Sequence, residues 1–510
     1  MFTYGIPRLV PDYDVLFITI DSLRRDFLGA YRDRPRVTDY DVATPNLDRF
    51  AERAAVFDTH YAGSLPCMPQ RREFMCGIQE FLWRPWGPAE PYDETVPALA
   101  GDTGAVTKLI TDHYHYFEHG GHGYYEDYHG FEFVRGHEHD AWQTAPRYPD
   151  ERLLRQDNRH GADPADPGPG RAGHYPRNVA DFDDLDERDF FAPKVFSKTA
   201  AWLEDNADWD QWFCYVDSFD VHEPFHCPEP YASMYTDEDP TDPEMVHWPD
   251  YASVDEQGLT DRQLEFVVSQ FAGKVTMVDR WFGRVLDRLD RLGAWDDTVV
   301  VVTTDHGEML GEHGYIMKNY MPTYDAVANT PLLIHHPDGH SGRVDAVTSA
   351  VDVYATLLES LGADVPERTH SRSLLPLVRG ETDDHRDYAL YGYFGRDACV
   401  TDGRYTYLHP GDPAGEAPIY STMQMGRKAG DAEVASLPYT DEAVWCYPTG
   451  GAYRQADEPL LFDTHEDPEQ EHNVAEERPG ERDRLRGLLV DALDTRDAPP
   501  EQYDRLGFAG

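Results

Sequence analysis

Apolar runs of strand length alternate with amphipathic segments over the first two-thirds of the chain. Four short runs bounded by polar residues are candidates for buried strands: 15–20, 212–216, 298–303 and 332–334. The clearest helix follows Gly258, where apolar residues recur at three- and four-residue steps until Gly293. Alternation of this kind is typical of a sheet covered by helices on both faces. We therefore predict an α/β fold with a large, mostly parallel central sheet.

The pattern changes after about residue 380. Later strands are predicted at 388–394, 399–408 and 460–462, with a helix at 482–493. The first two of these strands are expected to be antiparallel, and the dipeptide Asp402-Gly403 is typical of a hairpin turn. We therefore divide the chain into a large α/β domain of residues 1–380 and a smaller C-terminal α+β domain of residues 381–510.

Periodicity fails between about residues 118 and 190, where Gly, His, Asp and Pro accumulate. Residues 162–173 are predicted to form an irregular surface loop. A long insertion in a compact enzyme is often a lid or a binding loop. A solvent-exposed loop without such a role is an equally good interpretation. The Tyr- and His-rich stretch 114–142 could line a pocket, but its spacing assigns no roles.

The balance of charges narrows the choice of partners. The 510 residues include 95 Asp and Glu against 45 Lys and Arg, a net charge of −50, and only six of the bases are Lys. Such a charge repels phosphate backbones and anionic lipid, which argues against a nucleic-acid or membrane-surface partner. Acid excess, scarcity of Lys and a mean hydropathy of −0.64 together predict a halophilic protein, because high salt screens the self-repulsion.

The sequence carries no signal for a membrane span or for export. It contains no run of about 18 apolar residues, and its N-terminus lacks a basic stretch followed by an apolar core. The six cysteines are scattered without a CxxC pair, which favours reduced thiols and a cytoplasmic location. Nothing in the sequence marks an oligomer interface.

Acidic residues stand at the ends of three predicted strands. These are Asp21, Asp217 and Asp305. Ligands of parallel α/β sheets gather beyond the carboxyl ends of the strands, so we expect the three carboxylates on one rim. His306 adds an imidazole next to Asp305, and carboxylates with one imidazole suit a divalent cation such as Ca²⁺, Mg²⁺ or Mn²⁺.

The pentapeptide Cys67-x-Pro69-x-Arg71 resembles the signature of the type I sulfatases. Further segments look like family landmarks in family order: 21–26, 44–49, 304–308, 311–314, 461–463 and 467–469. The resemblance spans almost the whole chain apart from the insertion at 118–190. It implies the alkaline-phosphatase-like fold. It also implies that Cys67 is oxidised to formylglycine by a formylglycine-generating or equivalent modifying enzyme, and that the aldehyde hydrate attacks sulfur.

Matched position by position, the resemblance implies a metal centre beside the nucleophile. Asp21, Asp305 and His306 correspond to ligands of one divalent cation, with Ca²⁺ expected ahead of Mg²⁺ or Mn²⁺. Arg71 corresponds to the residue that holds the deprotonated hydrate of Cys67 by charge-assisted hydrogen bonds.

Four further residues are implied to act on the substrate. Lys318 matches the lysine that binds a sulfuryl oxygen, and an exposed loop lysine is the alternative. His222 resembles the histidine that contacts and protonates the leaving-group oxygen, and a turn histidine is its alternative. His113 aligns best as the base that helps eliminate sulfate, with His115 in reserve.

Three positions depart from the sulfatase pattern. Ser22 stands where many sulfatases carry a second Asp, Thr111 stands where the family has a lysine, and Gln70 replaces the usual Ser or Ala. The first two changes point towards the phosphonate monoester hydrolase branch, which resembles sulfatases and also uses formylglycine. Loss of one carboxylate and one lysine leaves the local charge nearly unchanged, so electrostatics alone does not choose between sulfate and phosphorus esters.

We therefore predict a formylglycine-dependent sulfatase that cleaves the S–O bond of a sulfate monoester on a sulfated small molecule or glycan. A phosphonate monoester or phosphodiester hydrolase on the same site is the first alternative. The second is a catalytically silent sulfate- or sugar-binding relative in which Cys67 stays a thiol. The presence of the full candidate set argues against that second alternative.

Overall fold

The computed structural model describes residues 13–31, 37–118, 124–144, 148–161, 163, 165, 168, 170–423, 432–437, 440, 442–447 and 456–508. The strands of this part of the chain are β1 (Asp14–Ile20), β2 (Ala55–Phe57), β3 (His60–Tyr61), β4 (Ser64–Leu65), β5 (Val106–Thr111), β6 (Gly130–Phe133), β7 (Trp212–Ser218), β8 (Thr298–Thr303), β9 (Met309–Leu310), β10 (Ile316–Met317), β11 (Leu332–His335), β12 (Gly342–Val344), β13 (Thr348–Ser349), β14 (Ala389–Tyr393), β15 (Ala398–Thr401), β16 (Tyr405–His409), β17 (Ile419–Ser421), β18 (Glu433–Ser436), β19 (Ala443–Tyr447) and β20 (Leu460–Asp463). Its α-helices are α1 (Pro45–Ala51), α2 (Cys67–Cys76), α3 (Val96–Thr103), α4 (Glu151–Arg155), α5 (His174–Asn178), α6 (Phe191–Asp205), α7 (Val254–Gln257), α8 (Asp261–Leu292), α9 (Asp325–Ala328), α10 (Asp352–Ser360), α11 (Leu375–Val378), α12 (Pro479–Thr495) and α13 (Pro500–Arg505).

An eight-stranded sheet forms the centre of the molecule, with strand order β12-β2-β11-β8-β1-β7-β5-β6. Strand β1 pairs in parallel with β7 on one side and with β8 on the other. Of these eight strands only β11 runs against the rest, because it pairs antiparallel with both β8 and β2. The prediction of a large, mostly parallel sheet is confirmed, and its four predicted strands correspond to β1, β7, β8 and β11.

Helices cover both faces of this sheet. Successive residues of a strand point to opposite faces. Leu16 and Ile18 of β1 therefore belong to the core that includes residues of α6 and α8. Val15 and Phe17 belong to a second core that includes residues of α3 and α10. Burial on both faces explains why the strand reads as a continuous apolar run.

Helix α8 confirms the prediction of a long helix between Gly258 and Gly293. Thr260 caps its start by accepting a hydrogen bond from the backbone N–H of Gln263, and Gly293, with φ 68°, ends it in the left-handed conformation. Its apolar face packs against α6 and α1.

A smaller sheet, with strand order β20-β16-β15-β14-β4, carries most of the predicted C-terminal strands. Strands β14, β15, β16 and β20 pair antiparallel, and α12 packs against β15 and β16. The hairpin turn at Asp402-Gly403 joins β15 to β16, and Gly403 has φ 90°. The prediction of one strand over 399–408 is therefore wrong, because this turn divides the segment into two paired strands. Strand β4, from far earlier in the chain, adds a parallel edge to β14, so the smaller sheet reaches the segment just before Cys67.

The insertion at 118–190 is more regular than its composition indicates. Residues Gly130–Phe133 form β6, the edge strand of the large sheet beside β5, and α4 and α5 follow. The expectation of a wholly irregular segment is therefore wrong at β6. Part of the predicted loop at 162–173 lies outside the described residues. No helix within the described residues has the length and apolarity needed to cross a bilayer.

Candidate active site

Three carboxylates meet at one rim of the large sheet. Asp21 follows β1, Asp305 lies just beyond β8, and Asp217 is the last residue but one of β7. The prediction that the strand ends before Asp217 is therefore wrong, since β7 extends two residues further, to Ser218. All three side chains are fully buried. Because β8, β1 and β7 are adjacent and parallel, their carboxyl ends bring the carboxylates together.

Helix α2 brings Cys67 and Arg71 to the same rim. Cys67 is its first residue, and Arg71 follows one turn later on the same face. The Arg71 guanidinium donates to the Cys67 carbonyl oxygen at 3.1 Å. The helix ends at Gly77, which has φ 69°.

Arg71 binds all three carboxylates at once. Its Nε and Nη2 donate to Asp217 at 2.9 and 2.8 Å. Nη2 also donates to Asp21 at 2.9 Å, and Nη1 donates to Asp305 at 2.6 Å. These charge-assisted bonds fix the arginine. One guanidinium charge faces three carboxyl groups in a fully buried place, so the site can accept a further positive charge.

The residues expected to hold a metal converge on one point. Asp21, Cys67, Asp305 and His306 each present a ligand atom, and these atoms lie within 4.8 Å of one another. His306 Nδ1 donates to the Gly307 carbonyl at 2.9 Å, which leaves the Nε2 lone pair 3.1 Å from Cys67 Sγ. Two carboxylates and one imidazole form a donor set that fits a hard divalent cation.

Burial and mutual repulsion shape the charges of this group. Burial and the neighbouring Asp305 raise the pKa of Asp21 well above its usual value. Despite burial, His306 and Arg71 hold the pKa of Asp305 below its usual value. Burial, followed by the charges of Asp21 and Asp305, raises the pKa of the Cys67 thiol well above its ordinary range. Cys67 is therefore a neutral thiol at neutral pH, which is a poor nucleophile.

Ser22, the first departure from the sulfatase pattern, supports the carboxylates. Its hydroxyl donates to Asp21 at 2.9 Å, and its backbone N–H donates to Asp305 at 3.1 Å. Its φ of 58° lies in the left-handed region, which is uncommon for a residue other than glycine. The backbone bends here to aim an N–H at Asp305.

Lys318 lies between two buried carboxyl groups. Its Nζ is 2.9 Å from Glu223 and 3.3 Å from Glu308. Burial raises the pKa of Glu308 to about 8, whereas His222 and Lys318 lower the pKa of Glu223 to about 2 despite its burial. Glu223 is thus the charged partner at neutral pH, and the closer contact agrees. The alternative of an exposed loop lysine is wrong, since the side chain is 1% exposed.

His222 is held as a neutral imidazole. Its Nδ1 donates to the Glu223 carbonyl oxygen at 2.8 Å, which leaves Nε2 with a lone pair. Burial lowers the pKa of His222 to about 3. Lys274 Nζ donates to the His222 carbonyl at 2.7 Å and contacts Asp220 at 2.6 Å, which fixes the segment that carries His222.

The structure separates the two histidines aligned with the base. His113 Nε2 lies 3.5 Å from Asp21, and neither ring nitrogen has a hydrogen-bond partner among the described residues. His115 instead contacts Glu118 at 2.6 Å and Glu138 at 3.3 Å. Only His113 therefore borders the carboxylates of the rim, while His115 lies between two acids behind it.

Several residues of this site were not assigned roles from the sequence. Asp217 was singled out only as part of the rim, and its contact with Arg71 gives it a function. Glu308 lies inside the landmark 304–308, and Glu223 adjoins His222, so a search for acids near the matched residues would have found both. Glu138 comes from the insertion, where no periodic or motif signal exists.

A second buried polar cluster lies behind the histidines. Asp112, His137 and Asp220 place ligand atoms within 4.8 Å of one another. His137 Nε2 is 3.0 Å from Asp220, and the Lys274 ammonium already binds the same carboxylate. The lysine supplies the positive charge that a metal would otherwise bring.

Comparison with known proteins gives a consistent result. The model of the Sulfatase family matches residues 13–363. PehA of Trinickia caryophylli, a multifunctional alkaline phosphatase superfamily protein, is 26% identical over 445 residues, which cover 75% of this chain and 80% of the relative. An arylsulfatase of Clostridium perfringens is 24% identical over 409 residues, which cover 76% and 82%. The crystal structure of a phosphonate monoester hydrolase of Agrobacterium radiobacter matches with a TM-score of 0.66 at 20% identity, covering 95% of this chain and 96% of that one.

The structural match extends beyond the segment that the family model covers. Strands β14 to β20 follow residue 363, and the solved structure still covers nearly the whole chain. The predicted alkaline-phosphatase-like fold is therefore confirmed. Because the family model spans more than half of the chain, the protein belongs to the sulfatase family, the hydrolases of sulfuric esters.

Proposed function

We propose that this protein hydrolyses a sulfate monoester of a small molecule or glycan with a formylglycine nucleophile derived from Cys67. The observation that carries the proposal is the position of Cys67 at the start of α2, against Arg71, His306 and the buried carboxylates. A carbonyl hydrate at this position would supply the oxygen nucleophile that the neutral thiol does not. The proposal requires a modifying enzyme that accepts Gln70 within the signature.

The metal ligands support the same chemistry. Asp21, Asp305 and His306 would hold one divalent cation, with Ca²⁺ favoured by the oxygen donors. Such an ion supplies Lewis-acid stabilisation and a template for substrate oxygens. Arg71 keeps Asp21 and Asp305 in place, and it orients residue 67 through the backbone contact.

Lys318 and His222 are proposed to act on the substrate. Lys318 carries a buried positive charge that can neutralise a sulfuryl oxygen, and Glu223 fixes its position. The lone pair on His222 Nε2 faces away from the Glu223 carbonyl. Nε2 can therefore take up a proton when the anionic substrate raises its basicity and deliver that proton to the leaving oxygen.

His113 is proposed to act in the release of the product. Burial and Arg71 lower the pKa of its imidazole well below the ordinary value, so the ring is neutral and can accept a proton. Its Nε2 lies 3.5 Å from Asp21, which belongs to the same group of possible metal ligands as Cys67. His115, held by Glu118 and Glu138, is proposed to position this region rather than to transfer protons.

Hydrolysis of a phosphonate monoester or phosphodiester is the second candidate. Ser22 beside Asp21, and Thr111 where sulfatases carry a lysine, match that branch. The Thr111 hydroxyl lies 3.5 Å from Asp217, so it lies near the rim without adding a charge there. Two of the similar proteins are not named sulfatases: PehA is named a multifunctional alkaline phosphatase superfamily protein, and the solved structure is that of a phosphonate monoester hydrolase.

One preparation assayed on three esters tests these candidates. We expect the largest kcat/KM on an aryl sulfate, with lower values on a phosphonate monoester and a phosphodiester. Cys67→Ala should remove turnover of all three, whereas Cys446→Ala, which changes a cysteine far along the chain in β19, should leave it unchanged. A preference for the phosphonate would establish the second candidate. Tight sulfate-ester binding without product would favour the silent relative.

A further inference from the structure

Two histidines of the insertion face one another. The Nε2 atoms of His139 and His160 are 2.7 Å apart, and the two rings meet edge to face with centroids 4.9 Å apart. Both rings lie against Trp248, at 5.3 and 4.7 Å. The side chains are 11% and 16% exposed, so a small solute can reach them.

The outer nitrogen of each ring is held by a carboxylate. His139 Nδ1 is 3.0 Å from Glu138, and His160 Nδ1 is 2.9 Å from Asp157. Asp157 also accepts the backbone N–H of His160 at 3.1 Å. A carboxylate only accepts hydrogen bonds, so both Nδ1 atoms carry hydrogen. The Tyr114 hydroxyl, 3.3 Å from His139 Nδ1, can turn its oxygen towards that hydrogen.

The inner nitrogens are therefore close enough to share a proton or a metal ion. A neutral imidazole with hydrogen on Nδ1 has a lone pair on Nε2, and two lone pairs at 2.7 Å repel unless a cation lies between them. Carboxylate, imidazole and metal in series is the usual arrangement of metal-binding histidines. We propose that His139 and His160 bind a divalent transition-metal ion of the Zn²⁺ type at a site separate from Asp21, Asp305 and His306.

The donor atoms select the class of ion. Imidazole nitrogens suit Zn²⁺ and its neighbours, whereas Ca²⁺ and Mg²⁺ prefer oxygen. Two nitrogens bound tetrahedrally to Zn²⁺ lie about 3.3 Å apart, so the rings need to open by only about 0.6 Å from their present contact. No third His, Cys, Asp or Glu of the described chain joins the pair within 4.8 Å, so water completes the coordination.

The surrounding charges favour a cation here. Glu138 and Asp157 place two carboxyl groups beside the two rings, in a chain with a net charge of −50. Glu138 also contacts His115, which links the metal pair to the wall of the candidate active site. The backbone N–H of Asn158 donates to the Trp248 carbonyl at 2.9 Å, which holds the segment before His160 against the tryptophan that both rings contact.

Co²⁺ and Zn²⁺ titrations test the site. The full-length protein is freed of transition metals and kept in excess Ca²⁺, so that Ca²⁺ competes for the Asp21 site. Co²⁺ uptake is then followed by visible absorbance, and Zn²⁺ uptake by calorimetry. We expect His139→Ala and His160→Ala each to bind one ion fewer than the unchanged protein, or to bind that ion at least about tenfold more weakly. Retention of the unfolding midpoint in Ca²⁺ alone would show that the variants fold.

His472→Ala, which alters an exposed histidine, serves as the matched control and should bind like the unchanged protein. His160→Gln, which keeps a polar side chain, should lose the ion as His160→Ala does. Equal uptake by all variants would overturn the site. Absence of uptake by the unchanged protein would overturn it too, and would mean that a shared proton joins the rings. None of these readouts depends on Cys67 or on ester hydrolysis.

Discussion

Arg71 is the side chain that joins most parts of the candidate site. Its signature position predicts a role near Cys67, but the sequence does not indicate that one guanidinium contacts Asp21, Asp217 and Asp305 together. Those contacts depend on the order of β8, β1 and β7 in the sheet, which is a long-range property. The carboxyl partners of Lys318 differ in this respect, because Glu223 and Glu308 adjoin matched residues and could be found from the sequence.

Arg71→Lys should lower kcat/KM by about 100-fold or more. Lysine keeps the charge but loses the planar fork that holds two oxygens of Asp217, and each such bond contributes about 1.5–3 kcal/mol. Steady-state kinetics on the best ester would measure the loss. Arg72→Lys is the matched control on the same helix, since Arg72 contacts Glu80 and Asp93 instead. It should lower the unfolding midpoint and change kcat/KM little. Equal kinetic losses in both variants would contradict this role of Arg71.

The buried carboxyl group of Glu73 is expected to make the free energy of unfolding depend on pH. It is fully buried and accepts the Ser64 backbone N–H at 2.7 Å, and burial raises its pKa from 4.5 to about 8. The folded chain then holds a proton that the unfolded chain releases above pH 4.5. Stability from this group therefore falls as pH rises from about 4.5 to 8, by about 3 kcal/mol at pH 7.

Glu73→Gln cannot ionise, so its unfolding midpoint should fall less between pH 5 and pH 8 than that of the unchanged protein. Thermal unfolding at a series of pH values measures both slopes. The exposed Glu52→Gln should keep the original slope. Parallel curves for Glu73→Gln and the unchanged protein would show that Glu73 does not carry this dependence.

At the scale of elements, predictability follows the length of the periodic signal. Strands β1, β7 and β8 and helix α8 extend over six or more residues, and their patterns identify them. Strand β4 has two residues and joins β14 from more than 300 residues away, so no local pattern reveals it. Strand β6 has intermediate and exposed positions rather than an apolar run. Strand β4 matters for the site, because it leads into α2.

Substitution of the glycine that ends α2 is expected to destabilise the fold. Gly77 and Gly293 both end helices with φ near 69°, but a Cβ on Gly77 would lie 2.4 Å from Tyr354 and Thr369, whereas a Cβ on Gly293 would meet nothing. Gly293→Ala should therefore cost about 1–2 kcal/mol of unfolding free energy from backbone strain alone. Gly77→Ala should cost about 1–3 kcal/mol more from overpacking. Denaturant unfolding compares them, and equal losses would contradict the steric argument.

At the scale of the whole molecule, charge is the dominant property. The net charge of −50 is visible in the sequence, and at low salt it destabilises the compact state through self-repulsion. We propose on this ground that the protein is adapted to high salt. The Debye length falls from about 10 Å at 0.1 M salt to about 3 Å at 1 M, so the repulsion is largely screened in concentrated salt.

The unfolding midpoint should therefore rise when KCl is raised from 0.1 to 2 M with Ca²⁺ held in excess. Relief of about 2 kcal/mol would raise it by roughly 2 °C, because an unfolding entropy of about 2.1 cal/mol/K per residue is large when summed over 510 residues. Scanning calorimetry at several KCl concentrations measures the shift. Choline chloride at equal ionic strength should give a similar rise if screening is the cause. A midpoint that is flat or falls with salt would contradict the proposal.

The central claim is that Cys67 becomes the formylglycine nucleophile of an ester hydrolase. Mass spectrometry of the proteolytic peptide that contains Cys67, from active protein purified from its native host, tests this most directly. We predict that the peptide carries an aldehyde in place of the thiol, and that Cys76 of the same helix remains a thiol. A fully active preparation in which Cys67 is an unmodified thiol would contradict the account.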